Sequence, residues 1–296
     1  MRFFAEYYLV KMVLFFTKIF PNSLVYAFCK VLSHLFFKYN KRRTTLTLKN
    51  IRLAYPHKSE EEVYAMALEA YESVAITLAE TLLMFNDRLD IDSMIENKDE
   101  ILEKFERYFK DMSRGKLLMT GHYSNWELLA HFVGKNGYPI KNIAREGNNH
   151  FIDERIIQPF RGKYGNRNIY KQNAIISIVK TLKQGLRVSI LFDQKAGRNS
   201  SSPTYFFGKE VQTVNVLAQL KLKYNPLILP TFIVRGKDGK YTVIMKEPIE
   251  YIAEEERDET QKIIKMTQHY NDTLEEVIRE NPAQWFWMHD RWKIAK

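Results

Sequence analysis

The sequence predicts an α/β protein whose central mixed, mostly parallel sheet is flanked by helices, with an N-terminal membrane-associated helical segment ahead of it. Two observations predict the sheet: short apolar runs typical of buried strands recur after residue 115, and stretches with helical periodicity separate them. The third observation is the apolar character of residues 1–40. With 45% apolar and 27% charged residues, the composition is that of a folded globular chain.

Predicted strands and helices alternate along the second half of the chain. Strands are predicted at residues 116–120, 187–192, 227–234 and 241–246. Helices are predicted near residues 126–136, 152–163, 174–184, 212–223 and 257–280. A long amphipathic helix precedes them, beginning with the capping pair Ser59 and Glu62 and continuing to about Met84. We see no linker that divides residues 41–296, so they are predicted to form a single domain.

Residues 1–40 are predicted to form a separate apolar helical segment. The longest uncharged run, residues 19–29, has 11 residues, whereas a helix that crosses a bilayer needs about 20. Lys11 and Lys18 lie seven residues apart and share one helical face, which leaves a wide apolar face. We expect the segment to lie in a membrane interface or to insert partly, with its lysine side chains extending to the surface. The alternative is a helical hairpin, broken at Pro21, that packs against the core.

The charge balance favours an anionic partner. The formal net charge is +10, and residues 38–52 carry six basic side chains and no acidic one. A basic stretch beside an apolar segment is attracted to an anionic membrane surface, which we therefore expect as a partner. The sequence contains no block in which aromatic and basic residues interleave, so nucleic acid is not an expected partner.

Several classes of site are disfavoured by what the sequence lacks. Cys29 is the single cysteine, which excludes an internal disulfide and a multi-cysteine zinc site. The glycine-rich phosphate loops of nucleotide-binding proteins and the Gly-x-Ser-x-Gly elbow of serine hydrolases are both missing. We therefore expect neither a metal nor a cofactor.

The stretch GHYSNWELL, residues 121–129, places His122 and Glu127 directly after the first predicted strand. A histidine accepts a proton near neutral pH, and a carboxylate that fixes its tautomer makes it a better base. Asn125 is expected to cap a helix that begins near Trp126. Glu127 would then lie in the first turn of this helix, where its side chain could fold back towards His122. The alternative is a surface turn that contains both residues by chance.

Asp193 and Gln194 follow the second predicted strand in the way that His122 follows the first. Because the carboxyl ends of parallel strands meet at one edge of a sheet, we expect Asp193 and His122 to belong to one site. Asp193 is then a substrate-positioning or active-site acid. The alternative is a turn residue that only caps its strand.

Between these two strand ends, residues 155–192 contain no acidic side chain. The basic residues of this interval are Arg155, Arg161, Lys163, Arg167, Lys171, Lys180, Lys183 and Arg187. We select Arg161 and Lys163 as contacts for phosphate or an acidic sugar, because charge-assisted hydrogen bonds are strong. Others are suited to steering an acidic carrier protein. The alternative is a solvated basic face.

These motifs together resemble those of the bacterial lipid A biosynthesis acyltransferases (lauroyl/myristoyl type), within the glycerolipid acyltransferase superfamily. GHYSNWE resembles the family's His-x4-Asp/Glu motif, and the resemblance covers about residues 40–296. The other matching residues, in chain order, are Arg145, Asn149 and Asp153, then Arg161, Lys163 and Gly165, then Asp193 and Gln194, then Phe206, Phe207 and Gly208, and the tail NPAQWFWMHDRWK. The family usually begins with a recognisable transmembrane helix, whereas here charges interrupt the apolar segment.

The resemblance implies transfer of a fatty acyl chain from acyl-acyl carrier protein to a hydroxyl of a lipid A precursor or related glycolipid. It places the protein at the cytoplasmic face of a bacterial inner membrane. His122 would be the general base and Glu127 its orienting partner, with no covalent enzyme intermediate. The residues expected to bind substrate are Arg145, Asn149, Arg161, Lys163, Asp193 and Gln194. Arg145 is equally suited to a structural ion pair with Asp153.

Two alternatives stay open at this point. The first is an acyltransferase of the same class that uses acyl-CoA, or one that acts on a different lipid or phospholipid acceptor. The second is a non-catalytic basic membrane- or RNA-binding protein, for which His122 would have no chemical role.

Overall fold

The computed structural model describes residues 1–170, 174–195, 197 and 200–292. The helices are α1 (Arg2–Ile19), α2 (Asn22–Tyr39), α3 (Lys41–Ala54), α4 (Glu60–Phe85), α5 (Lys98–Phe109), α6 (Trp126–Lys135), α7 (His150–Ile152), α8 (Gln158–Gly162), α9 (Ala174–Lys183), α10 (Val216–Tyr224) and α11 (Glu259–Glu280). The strands are β1 (Lys116–Thr120), β2 (Ile140–Ala144), β3 (Arg167–Tyr170), β4 (Arg187–Leu191), β5 (Ser201–Phe206), β6 (Lys209–Val214), β7 (Leu227–Arg235) and β8 (Tyr241–Met245). A π-helical turn, Asp153–Ile157, joins α7 to α8.

Within the described residues, six strands form the central sheet in the order β3-β2-β4-β1-β7-β8. All neighbours are parallel except β7 and β8, which pair antiparallel. The prediction of a mixed, mostly parallel sheet flanked by helices is therefore confirmed. Strands β5 and β6 form a separate antiparallel hairpin.

The predicted elements reappear close to their expected bounds, with two differences. The helix predicted near residues 152–163 is divided into α7, the π-helical turn and α8. Residues 212–223 were expected to be one helix, but β6 extends to Val214 and α10 begins only at Val216. The capping box at Ser59 and Glu62 is present at the start of α4. Asn125 caps α6, because its Oδ1 accepts a hydrogen bond of 2.9 Å from the amide of Leu128.

The first two helices form a hairpin on α4. Val25 and Cys29 of α2 are buried against Ala75, Ala79 and Leu83 of α4. On their other side, α1 and α2 expose most of the large apolar side chains that lie at the protein surface. Among the described residues, no helix combines the length and apolar character needed to cross a membrane.

Hydrophobic cores lie on both faces of the sheet, and the C-terminal part of the chain joins the larger of the two. Tyr270 and Leu274 of α11 are buried there together with Trp285 and Trp287 of the C-terminal tail, residues 282–292. Phe206 is buried against Trp285, with their ring centroids 5.5 Å apart. The tail motif therefore packs as part of the core.

Candidate active site

The register of two neighbouring strands brings His122 and Asp193 together. Strands β1 and β4 are parallel, and Thr120 of β1 lies opposite Leu191 of β4. Both strands end at the same edge of the sheet. His122 and Asp193, each two positions after the paired residues, therefore lie side by side. This register explains why the two residues lie in one place, as expected from their positions after the two strands.

Asp193 holds both the backbone and the ring of His122. Its Oδ2 accepts a hydrogen bond of 2.9 Å from the amide of His122, and its Oδ1 lies 2.9 Å from the ring Nδ1. A carboxylate accepts only, so Nδ1 carries a proton, and in the neutral form of the ring the lone pair lies on Nε2. The side chain of His122 is 24% exposed and that of Asp193 is 2% exposed, which leaves the histidine as the accessible member of the pair.

The indole of Trp285 supplies a further hydrogen bond to Asp193. Its Nε1 donates to Oδ2 at 2.9 Å inside the core. Burial opposes ionisation of Asp193, but the nearby charge of His122 and the hydrogen bonds from His122 and Trp285 outweigh it. The pKa of Asp193 therefore lies below its ordinary value, and the carboxylate is ionised where it holds the imidazole.

The turn that carries His122, residues 121–125 and called the histidine turn below, fits tightly against its neighbours. A Cβ at position 121 would come within 3.2 Å of Cγ of Asp193, so glycine permits this approach. The C-terminal tail also secures the turn: the carbonyl of Gln284 accepts from the amide of Ser124 at 2.7 Å, and the carbonyl of His122 accepts from the amide of Phe286 at 3.0 Å.

Gln194 lies over the imidazole. Its Nε2 is 3.3 Å from both ring nitrogens of His122, and both residues line the same cavity. The next residue, Lys195, lines that cavity as well, and its amide donates to Nε2 of His289 at 2.7 Å. Mainly because it is buried, His289 has a pKa below its ordinary value; as a neutral ring, it can accept this bond.

Glu127 occupies a different place from the one expected from the His-x4-Glu spacing. Its carboxylate is paired with the guanidinium of Arg161, through Nη2 and through an Nε–Oε2 hydrogen bond of 3.2 Å. In this structure Asp193, not Glu127, is the carboxylate bonded to His122. The reason is geometric: α6 carries Glu127 away from the β1–β4 edge and towards α8.

A cavity of about 690 Å³ opens beside His122. One wall is the face of the sheet that carries Leu118, Thr120, Ser189 and Thr231, and the opposite wall is α6. Three of these four sheet residues are small and polar, so the central strands leave room that larger side chains would fill. The volume lies within the range typical of ligand sites.

The cavity runs from the histidine turn towards the opposite ends of the strands. Leu118 lies four residues before His122, which corresponds to about 13 Å along a strand. Ile140 and Val133 also line the cavity, and Ile140 is paired with Arg187 at the far end of β4. The cavity therefore extends from the imidazole to apolar side chains at the far ends of the strands.

The other residues predicted to bind substrate are placed as follows. Arg145 and Arg161 line the cavity, and Arg145 forms no ion pair within the described part of the chain. Asp153 does not pair with Arg145; it accepts hydrogen bonds from Tyr170 and Gln158 instead. The proposed ion pair is thus absent among the described residues.

Like Asp193, two further residues predicted to bind substrate lie outside the cavity lining. Asn149 caps α7 and donates to the carbonyl of Phe3 at 2.8 Å and to Oε2 of Glu6 at 3.0 Å. Lys163 pairs with Asp87 at the surface. These contacts connect neighbouring helices, and they leave Asn149 and Lys163 without a cavity-facing role in this structure.

The carboxylate-free interval is only partly a free basic surface. Arg161 and Lys163 are paired with carboxylates. Arg187 is buried and donates to the carbonyls of Pro139 and Phe109 at 3.2 Å each. Lys171 lies outside the described residues. Much of the positive charge therefore has structural partners that the sequence pattern does not reveal.

Sequence reasoning missed three contributors to the site. Trp126 stacks edge-on against His122, with ring centroids 5.1 Å apart, and Lys195 and His289 meet beside Gln194. Two of them could have been found from the sequence, because Trp126 adjoins the histidine turn and His289 belongs to the tail motif. Nothing local in the sequence showed that the tail folds onto this site.

The fold and the site define an α/β protein in which a histidine–carboxylate pair at parallel strand ends adjoins a large cavity with both polar and apolar lining residues. The family model described as "Bacterial lipid A biosynthesis acyltransferase" matches residues 2–294, and the chain belongs to that family.

Curated relatives are similar over most of their length. The lipid A biosynthesis lauroyltransferase of Escherichia coli (strain K12) is 26% identical over 276 residues, which is 92% of this chain and 86% of the relative. The lipid A biosynthesis palmitoleoyltransferase of the same organism is 27% identical over 258 residues, covering 86% and 79%. Lipid A biosynthesis acyltransferase 2 of Shigella flexneri is 23% identical over 265 residues, covering 86% and 78%.

Proposed function

We propose that this protein transfers a fatty acyl chain from acyl-acyl carrier protein to a hydroxyl of a lipid A precursor or related glycolipid. The observation that carries the proposal is the His122–Asp193 pair beside a large cavity that has apolar side chains at its far end. Family membership and the acyl-transferring relatives support the reaction class. The apolar end of the cavity, with Leu118, Val133 and Ile140 in its lining, suits a fatty acyl chain, which gains free energy as its methylenes leave water.

His122 is the proposed general base. With Nδ1 bonded to Asp193, its Nε2 removes the proton of the acceptor hydroxyl as that oxygen attacks the thioester carbonyl. The tetrahedral oxyanion then collapses, the carbon–sulfur bond breaks, and the thiolate of the donor takes the proton from the imidazolium. Ester and thiol are the products, and the enzyme returns to its starting state without a covalent intermediate.

The surrounding side chains have separate proposed roles. The amide of Gln194 lies within reach of the reacting atoms and is suited to donate to the oxyanion. Arg145, free of ion pairs among the described residues and lining the cavity, is suited to a phosphate of the acceptor. Glu127 holds Arg161 at the cavity wall, so we assign it the support of that wall and assign the orienting role to Asp193.

We further propose that the α1–α2 hairpin rests on the cytoplasmic face of a bacterial inner membrane. Its outer surface exposes Phe4, Phe15, Phe28 and Leu35 among other large apolar side chains, which suits insertion at an interface. The following helix α3 is basic and exposes cations suited to anionic lipid headgroups. Co-sedimentation that is equal with anionic and zwitterionic vesicles would contradict the electrostatic part.

The test is acyl transfer by the purified protein in a matrix of two donors and two acceptors. Lauroyl-acyl carrier protein and lauroyl-CoA are each offered with a lipid A precursor and with a lysophospholipid, and products are identified by mass spectrometry. We expect product from the carrier-protein donor and the glycolipid acceptor, and none with His122→Ala. Preference for CoA or for the lysophospholipid would redefine the donor or acceptor, and full activity of H122A would overturn the mechanism.

A further inference from the structure

Glu80 is a buried carboxylate behind the histidine turn, and the proposed mechanism gives it no role. It lies on α4 and is 0% exposed. Its Oε1 accepts from the Tyr26 hydroxyl at 3.2 Å and lies 3.7 Å from Nε of Arg235. Its Oε2 accepts from the Tyr241 hydroxyl at 2.6 Å and from Nδ2 of Asn125 at 2.7 Å. A carboxylate at this depth persists only when it is bonded in this way.

One of these partners belongs to the histidine turn. Asn125 donates to Glu80 through Nδ2 and accepts from the amide of Leu128 through Oδ1. It therefore fixes the end of the turn and the start of α6 at once. Thr77, one helical turn before Glu80 on α4, donates to the carbonyl of Ser124 at 3.1 Å. Helix α4 thus holds two adjacent residues of the turn.

The histidine turn has a conformation that needs such support. Ser124 has φ of 51°, a left-handed value that is unfavourable for a residue with a side chain. Such a conformation persists where its surroundings determine it. Because His122 lies two residues before Ser124, loosening the turn displaces the imidazole from both Asp193 and the cavity.

The second informative partner belongs to the N-terminal hairpin. Tyr26 follows Val25 on α2, and its side chain packs against the same cluster of α4 residues. Its hydroxyl bridges the hairpin to the carboxylate that holds Asn125. The seating of the hairpin on α4 and the geometry of the histidine turn are therefore joined through one carboxyl group.

We propose that Tyr26 and Glu80 are positioning residues for His122, so that the hairpin must be seated on α4 for full turnover. The contact route is Tyr26 to Glu80, Glu80 to Asn125, and Asn125 to the histidine turn. Neither Tyr26 nor Glu80 lines the cavity. They act on the orientation of the base and not on substrate binding. The kinetic part of the test rests on the proposed acyl transfer.

The first experiment compares two tyrosines on the same helix. Tyr26→Phe removes the hydroxyl and keeps the ring, whereas Tyr39→Phe makes the same change at an exposed position. We expect kcat for acyl transfer to fall three- to tenfold in Y26F, the range set by losing one ordinary hydrogen bond. KM for both substrates should stay within about twofold, and Y39F should match the wild type. Equal kcat in Y26F and Y39F would overturn the proposal.

The second experiment asks whether Tyr26 acts through Glu80. Glu80→Gln keeps the shape of the side chain but cannot accept on both ends, and we expect kcat to fall about tenfold or more. If both residues act through one carboxylate, the double variant Y26F/E80Q should be no slower than E80Q alone. A loss in the double variant equal to the product of the two single losses would show independent effects and contradict the contact route.

Hydrogen exchange provides a readout that does not depend on the assigned reaction. The amides of Ser124 and Leu128 should exchange faster in Y26F than in Y39F, measured on peptides that cover residues 121–129. Equal protection in both variants would refute the positioning role. Should the wild-type protein transfer no acyl chain, the proposed function fails, while this exchange comparison still decides whether Tyr26 secures the turn.

Discussion

Nδ1 of His122 lies 2.9 Å from Oδ1 of Asp193, although 71 residues separate the two along the chain. The parallel pairing of β1 and β4 produces this relationship, since each residue follows its strand by the same number of positions. The tail then closes over the pair through Trp285. Orientation of the histidine therefore depends on strand register and on the C-terminal tail, and less on the local His-x4-Glu spacing.

Asp193→Asn should abolish most of the activity. An amide nitrogen at this position donates to Nδ1, which moves the ring proton to Nε2 and removes the basic lone pair. We expect kcat to fall about 10²–10⁴-fold, the contribution typical of a positioned base. Asp87→Asn, which neutralises a surface carboxylate paired with Lys163, is the matched control. Comparable kcat in the two variants, from steady-state acyl transfer, would contradict the role of Asp193.

Glu127→Gln separates the two carboxylates of the site. Because Glu127 is bonded to Arg161, the change should loosen the cavity wall and lower kcat far less than D193N does. Denaturant unfolding of E127Q, R161Q and the double variant should give a coupling free energy of about 1–2 kcal/mol, reduced from the value for a buried pair by partial exposure. A kcat loss in E127Q as large as that in D193N would restore Glu127 as the orienting acid.

The fold and the site differ in how far the sequence alone predicts them. Strand β1 and strand β4 are short buried runs that stand out in the sequence, so His122 and Asp193 could be located at strand ends. Strands β2 and β3 could not, because most of their residues are only partly buried and their apolar pattern is weak. The partner of Glu127 was missed for another reason: Arg161 is 34 residues away, and only the path of α8 brings it close.

Trp285→Phe tests the indole hydrogen bond to Asp193. The change keeps an aromatic ring in the core and removes Nε1, which leaves one oxygen of Asp193 with a single donor. We expect kcat to fall about tenfold, as for a loss of about 1.5 kcal/mol. Trp287→Phe removes an indole bond to the carbonyl of Pro282 and serves as the control for packing. A larger kcat loss in W287F than in W285F would contradict this assignment.

His289 should make the unfolding free energy depend on pH. Its pKa is lowered in the folded protein, chiefly by burial, so below pH 6.5 the unfolded chain binds more protons at this residue than the folded chain does. Stability should therefore rise with pH up to about 6.5 and gain nothing more from His289 above it. His289→Gln can still accept from the amide of Lys195. The unfolding free energy of H289Q, measured by denaturant titration at several pH values below and around 6.5, should change less with pH than that of the wild type. Identical pH dependence in the two proteins would exclude His289 as its source.

Two opposite substitutions at Val133 test whether the cavity sets acyl chain length. Val133 lies on α6 and lines the cavity near Ile140, at the end away from His122. Val133→Phe fills this end, so the preferred acyl chain should become shorter, while Val133→Ala enlarges it and should favour longer chains. Both changes destabilise a packed interior, so general damage would shift the two variants in the same way. The measurement is competition among acyl donors of different length, with products resolved by mass spectrometry. Unchanged chain-length profiles, or shifts in the same direction for V133F and V133A, would show that this cavity does not hold the acyl chain.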